Sequence, residues 1–240
     1  MFGGWWVSNF YQMGGPALVA AWAIWVIVSI TLHELSHGWA AVNRGDMTPI
    51  HTGHMTWNPI VHMGLTSLII FAITGIAWGL MPIDPTRMRG RYAEAFVAFA
   101  GPLMNLMLAL ICIIGGAFAL AMLTEAQFTQ YSKNFLLVGP DSPLAARIAM
   151  FCGVGAMLNI TLFLFNLLPC PPLDGSRIIA CFSSAYRNFL MTQGGQFMSM
   201  IVFVLAFVLS GPVIFTVGLF GMMIGMGGLY ALLKLVGVGP

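Results

Sequence analysis

A chain of 240 residues, 59% hydrophobic and only 7% charged, cannot cover a water-facing surface, because soluble domains carry roughly a quarter charged residues. The composition is that of an all-α polytopic membrane protein. The net charge of +2 is too small and too scattered for nucleic-acid binding. The four cysteines, Cys112, Cys152, Cys170 and Cys181, lack CxxC spacing and read as small buried hydrophobes.

Residues 1–14 place Trp5, Trp6 and Tyr11 among glycines, as in an interfacial aromatic belt, and show no basic stretch of the kind that opens a cleavable signal. The first span is expected over 16–42, closed by Asn43-Arg44-Gly45-Asp46. Pro49, Gly53 and Pro59 exclude a continuous helix in the next stretch, where Thr and Trp favour short extended pieces. Three histidines lie there, His51, His54 and His62, and hydrogen-bonded structural roles suit them as well as metal binding.

Residues 64–80 are apolar but near the lower length limit for a crossing, where re-entrant segments are also found. A basic loop with Arg87, Arg89 and Arg91 leads to a span over 93–123, a polar loop over 124–143, and a span over 144–168. A polar helix or loop then reaches about Gln196, and an apolar tail over 197–236 is broken at Ser210-Gly211-Pro212. The whole reads as a single membrane-embedded unit over 1–240, a helical bundle of about five to six membrane segments.

The chemistry sits in the first span, in Thr31-Leu32-His33-Glu34-Leu35-Ser36-His37-Gly38. On a helix His33 and His37 project from one face at adjacent turns, so both imidazoles can reach one zinc ion, with Glu34 beside the position of a bound water. Chance produces His-Glu-x-x-His on the order of once in a thousand such sequences. The plainer alternative is a pair of helix histidines satisfied by backbone, with Glu34 as their ion partner. Ionisable groups in such apolar surroundings are costly and are usually functional.

Catalytic zinc takes three protein ligands and a water, so one ligand is missing. Asp46, Glu94, Glu125 and Asp141 lie in or beside loops with basic neighbours, where a solvated role suffices. Asp84 is a weaker candidate. Asp174 stands in a Pro-rich break at the end of an apolar span, irregular backbone of the kind tolerated only in a cavity or inside protein. Capping of the helix that follows is the alternative for it.

These stretches together resemble the site-2 protease family of intramembrane zinc metalloproteases. The likeness rests on His33-Glu34-Leu35-Ser36-His37, on Gly101-Pro102-Leu103-Met104-Asn105, and on the run from Asn166 to Leu173-Asp174-Gly175, in the family's order. Thr56 to His62 and Gly79 to Asp84 look like its compact bacterial and archaeal subgroup. Departures are Met63-Gly64 after His62, where an acid often follows, and Met81 before Pro82, where a basic residue is common. The resemblance implies one catalytic Zn²⁺ held by His33, His37 and Asp174. It implies Glu34 as the catalytic acid/base, and Asn166 as a residue that helps hold substrate. Transmembrane protein substrates and a bilayer are the implied partners, in regulated intramembrane proteolysis. A non-proteolytic zinc-binding membrane protein, such as a metal carrier or a lapsed protease, is the alternative.

Convergence on one ion constrains topology. His37 and Asp174 both lie near the C-terminal ends of their spans, and these ends must share a side, which requires 64–80 to be re-entrant or partly embedded rather than a full crossing. Arg44, Arg87, Arg89, Arg91, Arg177 and Arg187 then share that side, and the positive-inside rule makes it cytoplasmic in the cell membrane, with the N-terminus external.

Overall fold

In the computed structural model, which describes residues 5–133, 135, 136, 138, 139 and 141–239, nine α-helices and one 3-10 turn account for the regular structure of the described residues. They are α1 (Trp6–Asn43), α2 (Thr48–His51), α3 (Pro59–Thr74), α4 (Ala93–Ala121), α5 (Glu125–Lys133), α6 (Leu144–Asn166), α7 (Asp174–Phe182), α8 (Ser184–Met191) and α9 (Gln193–Leu235). Among the described residues, four helical stretches are long and apolar enough to cross a bilayer: Trp6–Asn43, Ala93–Ala121, Leu144–Asn166 and Gly211–Leu235. The pair Ser184–Met191 and Gln193–Leu209, bent by 97°, makes a fifth if counted as one broken span. The molecule is a helical polytopic membrane protein.

α4 and α6 form the centre, and small residues let them approach. Ala149 and Ala156 are fully buried there in one cluster with Cys112 and Ala119, while Ala117 and Ala121, also fully buried, pack against Leu233 of α9. In lipid, where apolar burial alone gives no drive to associate, such close packing supplies the attraction. α9 follows the same rule: Cβ atoms at Gly218, Gly221 and Gly225 would meet Thr161, Ile160 and Ile113. Pro212 does not end α9, since the proline gives up one backbone bond and membrane helices tolerate that loss.

The N-terminal stretch folds back on the bundle. Gly14 and Gly15 leave helical geometry, and the chain reverses so that Phe10 stacks on Trp22 at 4.9 Å and Trp6 on Phe71 at 5.3 Å. Pro16 falls just after this break, in the first turn of the longer piece, where its missing N–H costs nothing. The indole N–H groups of Trp5 and Trp6 both donate to the Ala72 carbonyl, at 3.0 and 3.1 Å.

Residues 47–58 are not extended. Pro49 stands in the first positions of the single turn α2, and further turns follow. The loop expected over 124–143 contains α5, whose Phe128 stacks on Tyr230 with ring centroids 4.4 Å apart. The extended run lies instead after α3. Gly75 closes α3 in the left-handed conformation (φ 78°), which only glycine adopts without cost, and the chain returns beside the helix. The Ser67 hydroxyl accepts from Trp78 N–H and donates to Trp78 C=O, and Leu80 N–H donates to the His62 carbonyl. Residues 59–82 thus form a hairpin of one helix and one extended arm, and the arm runs back along α1 with Gly79 against Glu34 and Met81 against Gly38.

Candidate active site

α1 presents His33 and His37 from adjacent turns, and α7 opens with Asp174 directly after the Pro169-Cys170-Pro171-Pro172 bend. Asp174 does not cap α7. Its carboxylate turns to the imidazoles, with Oδ2 at 3.1 Å from His33 Nε2 and 3.3 Å from His37 Nε2, and the two Nε2 atoms are 3.0 Å apart. Gly175 allows this approach, because a Cβ there would collide with the Leu167 carbonyl.

The protons of the two imidazoles are directed elsewhere. His37 Nδ1 lies 2.7 Å from the Val97 carbonyl, which can only accept, so this nitrogen carries the hydrogen. His33 Nδ1 lies 2.7 Å from Asn105 Oδ1, and it too donates. Both Nε2 atoms therefore point lone pairs at each other and at a carboxylate oxygen that has no hydrogen-bond partner. Three lone pairs so close repel unless a cation lies between them. Tetrahedral zinc with ligands at about 2.0–2.1 Å separates its donors by about 3.3 Å. The triangle of 3.0–3.3 Å matches that requirement, so the donor set fits zinc.

Four groups with polar chemistry are buried together: His33, Glu34, His37 and Asp174 are 8, 8, 4 and 7% exposed. Two glycines close in on them. A Cβ at Gly101 of α4 would lie 2.5 Å from His37 Nε2 and 2.6 Å from His33 Nε2. One at Gly79 would lie 2.5 Å from the Glu34 carboxylate.

The structure thus brings His33, His37 and Asp174 into contact, with Glu34 beside them. Asn166 stands apart at the end of α6, where its amide donates to Leu162 of its own helix. His62 is buried, with Nε2 on the Thr56 carbonyl, His54 bonds Thr52, and His51 is exposed. None of these three joins the triad. All four cysteines are free, Cys170 buried in the bend before Asp174. Sequence reasoning missed Asn159 on α6, fully buried, which holds Asn105. An asparagine within an otherwise apolar span was the available signal.

Residues 21–209 match the model of peptidase family M50. "Putative zinc metalloprotease YwhC" of Bacillus subtilis is 37% identical over 188 residues, covering 77% of this chain and 78% of its own length. "Putative zinc metalloprotease Rip2" of Mycolicibacterium smegmatis is 29% identical over 168 residues, covering 66% of this chain and 54% of its own length. The protein of the same name in Mycobacterium tuberculosis is 29% identical over 166 residues, with the same coverage. No solved structure matches the chain. Motif order, a zinc-shaped donor set within apolar helices and these relatives agree: the chain belongs to peptidase family M50, the site-2 protease family of zinc metalloproteases.

Proposed function

We propose that this metalloprotease cleaves peptide bonds within or next to transmembrane segments of membrane-protein substrates, in regulated intramembrane proteolysis. His33, His37 and Asp174 hold one zinc ion, and Glu34 is the catalytic acid/base. The observation that carries this reading is the triangle of three bare donor atoms, 3.0–3.3 Å on a side, enclosed among apolar helices. Zinc bound there supplies an electrophile for the scissile carbonyl and an acidified water.

Glu34 takes the proton of the attacking water and returns it to the leaving amine. Val97 C=O and Asn105 hold the imidazole protons away from the reacting side. A helical substrate hides its backbone in its own hydrogen bonds, so it is unwound locally before attack, and Asn166 is the residue proposed to hold the freed backbone. With Gly79 packed on Glu34, the extended arm must shift for a substrate to reach the carboxylate. The positive-inside rule places the arginine-rich side, and with it the site, toward the cytoplasm of a cell membrane.

The test is Glu34→Gln. Zinc content is expected to stay at one per chain while cleavage of a model transmembrane substrate falls by at least a thousandfold, beyond the roughly 10²–10⁴ of a proton-transfer role at its lower end. Undiminished cleavage would remove Glu34 from the mechanism. Loss of soluble-peptide hydrolysis without any action on membrane substrates would remove the intramembrane reading.

A further inference from the structure

We infer that Asn159, which touches neither the donor triangle nor Glu34, is a positioning residue that sets the tautomer of His33 through Asn105. The inference rests on the zinc reading above. Three helices contribute to a single line of side chains. Asn159 Nδ2 donates to the Gly155 carbonyl at 2.9 Å, Asn105 Nδ2 donates to Asn159 Oδ1 at 2.9 Å, and Asn105 Oδ1 lies 2.7 Å from His33 Nδ1. Both asparagines are completely buried.

The line has only one consistent polarity. A backbone carbonyl accepts and never donates, so the amide NH₂ of Asn159 must face Gly155. That orientation turns Asn159 Oδ1 toward Asn105, which must answer with its own NH₂. Asn105 then has only its oxygen left for His33, so His33 Nδ1 must carry the hydrogen and Nε2 must be bare. The direction of every bond, from a carbonyl of α6 to the lone pair offered to the metal, follows from its fixed end.

That end is firmly placed. Trp25 of α1 packs on Gly155, where a Cβ would overlap its indole, and Trp25 Nε1 donates to the Phe151 carbonyl at 2.9 Å. α6 is thereby fastened to α1 two turns before His33. His37 needs no such relay, because its Nδ1 meets a backbone carbonyl directly. Without Asn159, the Asn105 amide is free to rotate by half a turn and present NH₂ to His33. That would move the hydrogen to Nε2 and take the lone pair away from the metal.

The experiment uses the full chain in nanodiscs, with Asn159→Leu, Asn159→Ser, Asn159→Asp and His33→Ala. Zinc affinity is read by competition with a chromophoric chelator, and the His33 tautomer by ¹⁵N NMR of the zinc-free protein. Leu, and Ser as a smaller variant should Leu fail to fold, are expected to weaken zinc binding about 10–100-fold and to raise the Nε2–H form. kcat should fall with KM within twofold. Asp, whose carboxyl is neutral in so buried a place, can donate its O–H to the Gly155 carbonyl and keep an oxygen for Asn105, and should stay within threefold of the parent in zinc affinity. If His33→Ala abolishes zinc binding while Leu and Ser leave affinity and tautomer unchanged, the relay is overturned and the metal site stands. If His33→Ala also binds zinc normally, the zinc reading itself falls.

Discussion

At the scale of single residues, two missing side chains decide what can approach the donors. Gly101 faces the imidazoles and Gly79 faces Glu34, so adding one methyl to each separates metal binding from proton transfer. Gly101→Ala should displace both imidazoles and lower zinc affinity at least tenfold, measured by chelator competition. Gly79→Ala should leave zinc bound while cleavage falls, measured on the same preparation; equal zinc loss in both variants would contradict this division. The meeting of His33 and His37 was legible in the sequence because helical periodicity turns a spacing of four into contact. Asp174 was legible because the chain has only seven acids and this one interrupts a Pro-rich bend. Gly79, Gly101 and Asn159 were not, since their roles arise from segments that meet only in three dimensions. Asn166, carried over from the resemblance, makes its hydrogen bond within α6 and waits on the test of substrate holding.

At the scale of elements, the loops flanking the site are pinned by hydrogen bonds. Buried Asp46 accepts from the Thr48 N–H and hydroxyl at 3.0 and 2.5 Å and from Asp84 N–H at 2.7 Å, fastening the end of α1 to the loop before α4. Burial raises its pKa, but these bonds, that of the Thr48 hydroxyl first, outweigh it and hold the carboxyl below its ordinary value. A depressed folded pKa means that the clip contributes in full above the unfolded value near 3.9 and is lost as pH falls through the folded one. Tryptic cleavage after Arg87, Arg89 and Arg91 is therefore expected to be constant at neutral pH. Asp46→Asn should accelerate it there, because an NH₂ would face the Asp84 N–H, at a cost of about 1–3 kcal/mol. In the hairpin, Ser67→Ala removes both bonds to Trp78 and should cost about 1–3 kcal/mol, read as a lower Tm and faster labelling of a cysteine at position 77. The long helices were legible from length and apolarity. α5 was not, because it is a short piece held by a tertiary partner, Tyr230, and neither was α2, a single turn bonded locally to Asp46.

At the scale of the whole molecule, charge and geometry divide the bundle into two ends. Arg89 N–H donates to the Arg44 carbonyl at 2.7 Å, and Arg187 bonds the Ala180 carbonyl at the close of α7, so both groups gather at the end that holds the donor triangle. Lys133 and Arg147 flank the connection from α4 to α6 at the other end. Cysteines at positions 44 and 89 should react with a membrane-impermeant reagent from one face of sealed vesicles, and cysteines at 133 and 147 from the opposite face. Opposite labelling of 44 and 89 would break the hairpin topology. α3 is broken at Gly64 (φ 66°), and the straight piece after the break, 65–74, rises only about 15 Å at 1.5 Å per residue, well short of the ~30 Å hydrocarbon layer, which agrees with a segment that turns back.

The two indoles fixed to Ala72 have a consequence for the order of assembly. As the chain emerges from the ribosome, Trp5 and Trp6 precede their acceptor by 66–67 residues. The opening helix piece therefore waits, without its partner, until the hairpin has been synthesised and inserted. Closing so long a loop costs little more than closing a shorter one, since the entropy grows only with the logarithm of its length. Docking of Trp5 and Trp6 thus follows the synthesis of α3, the helix from which the arm over Glu34 returns.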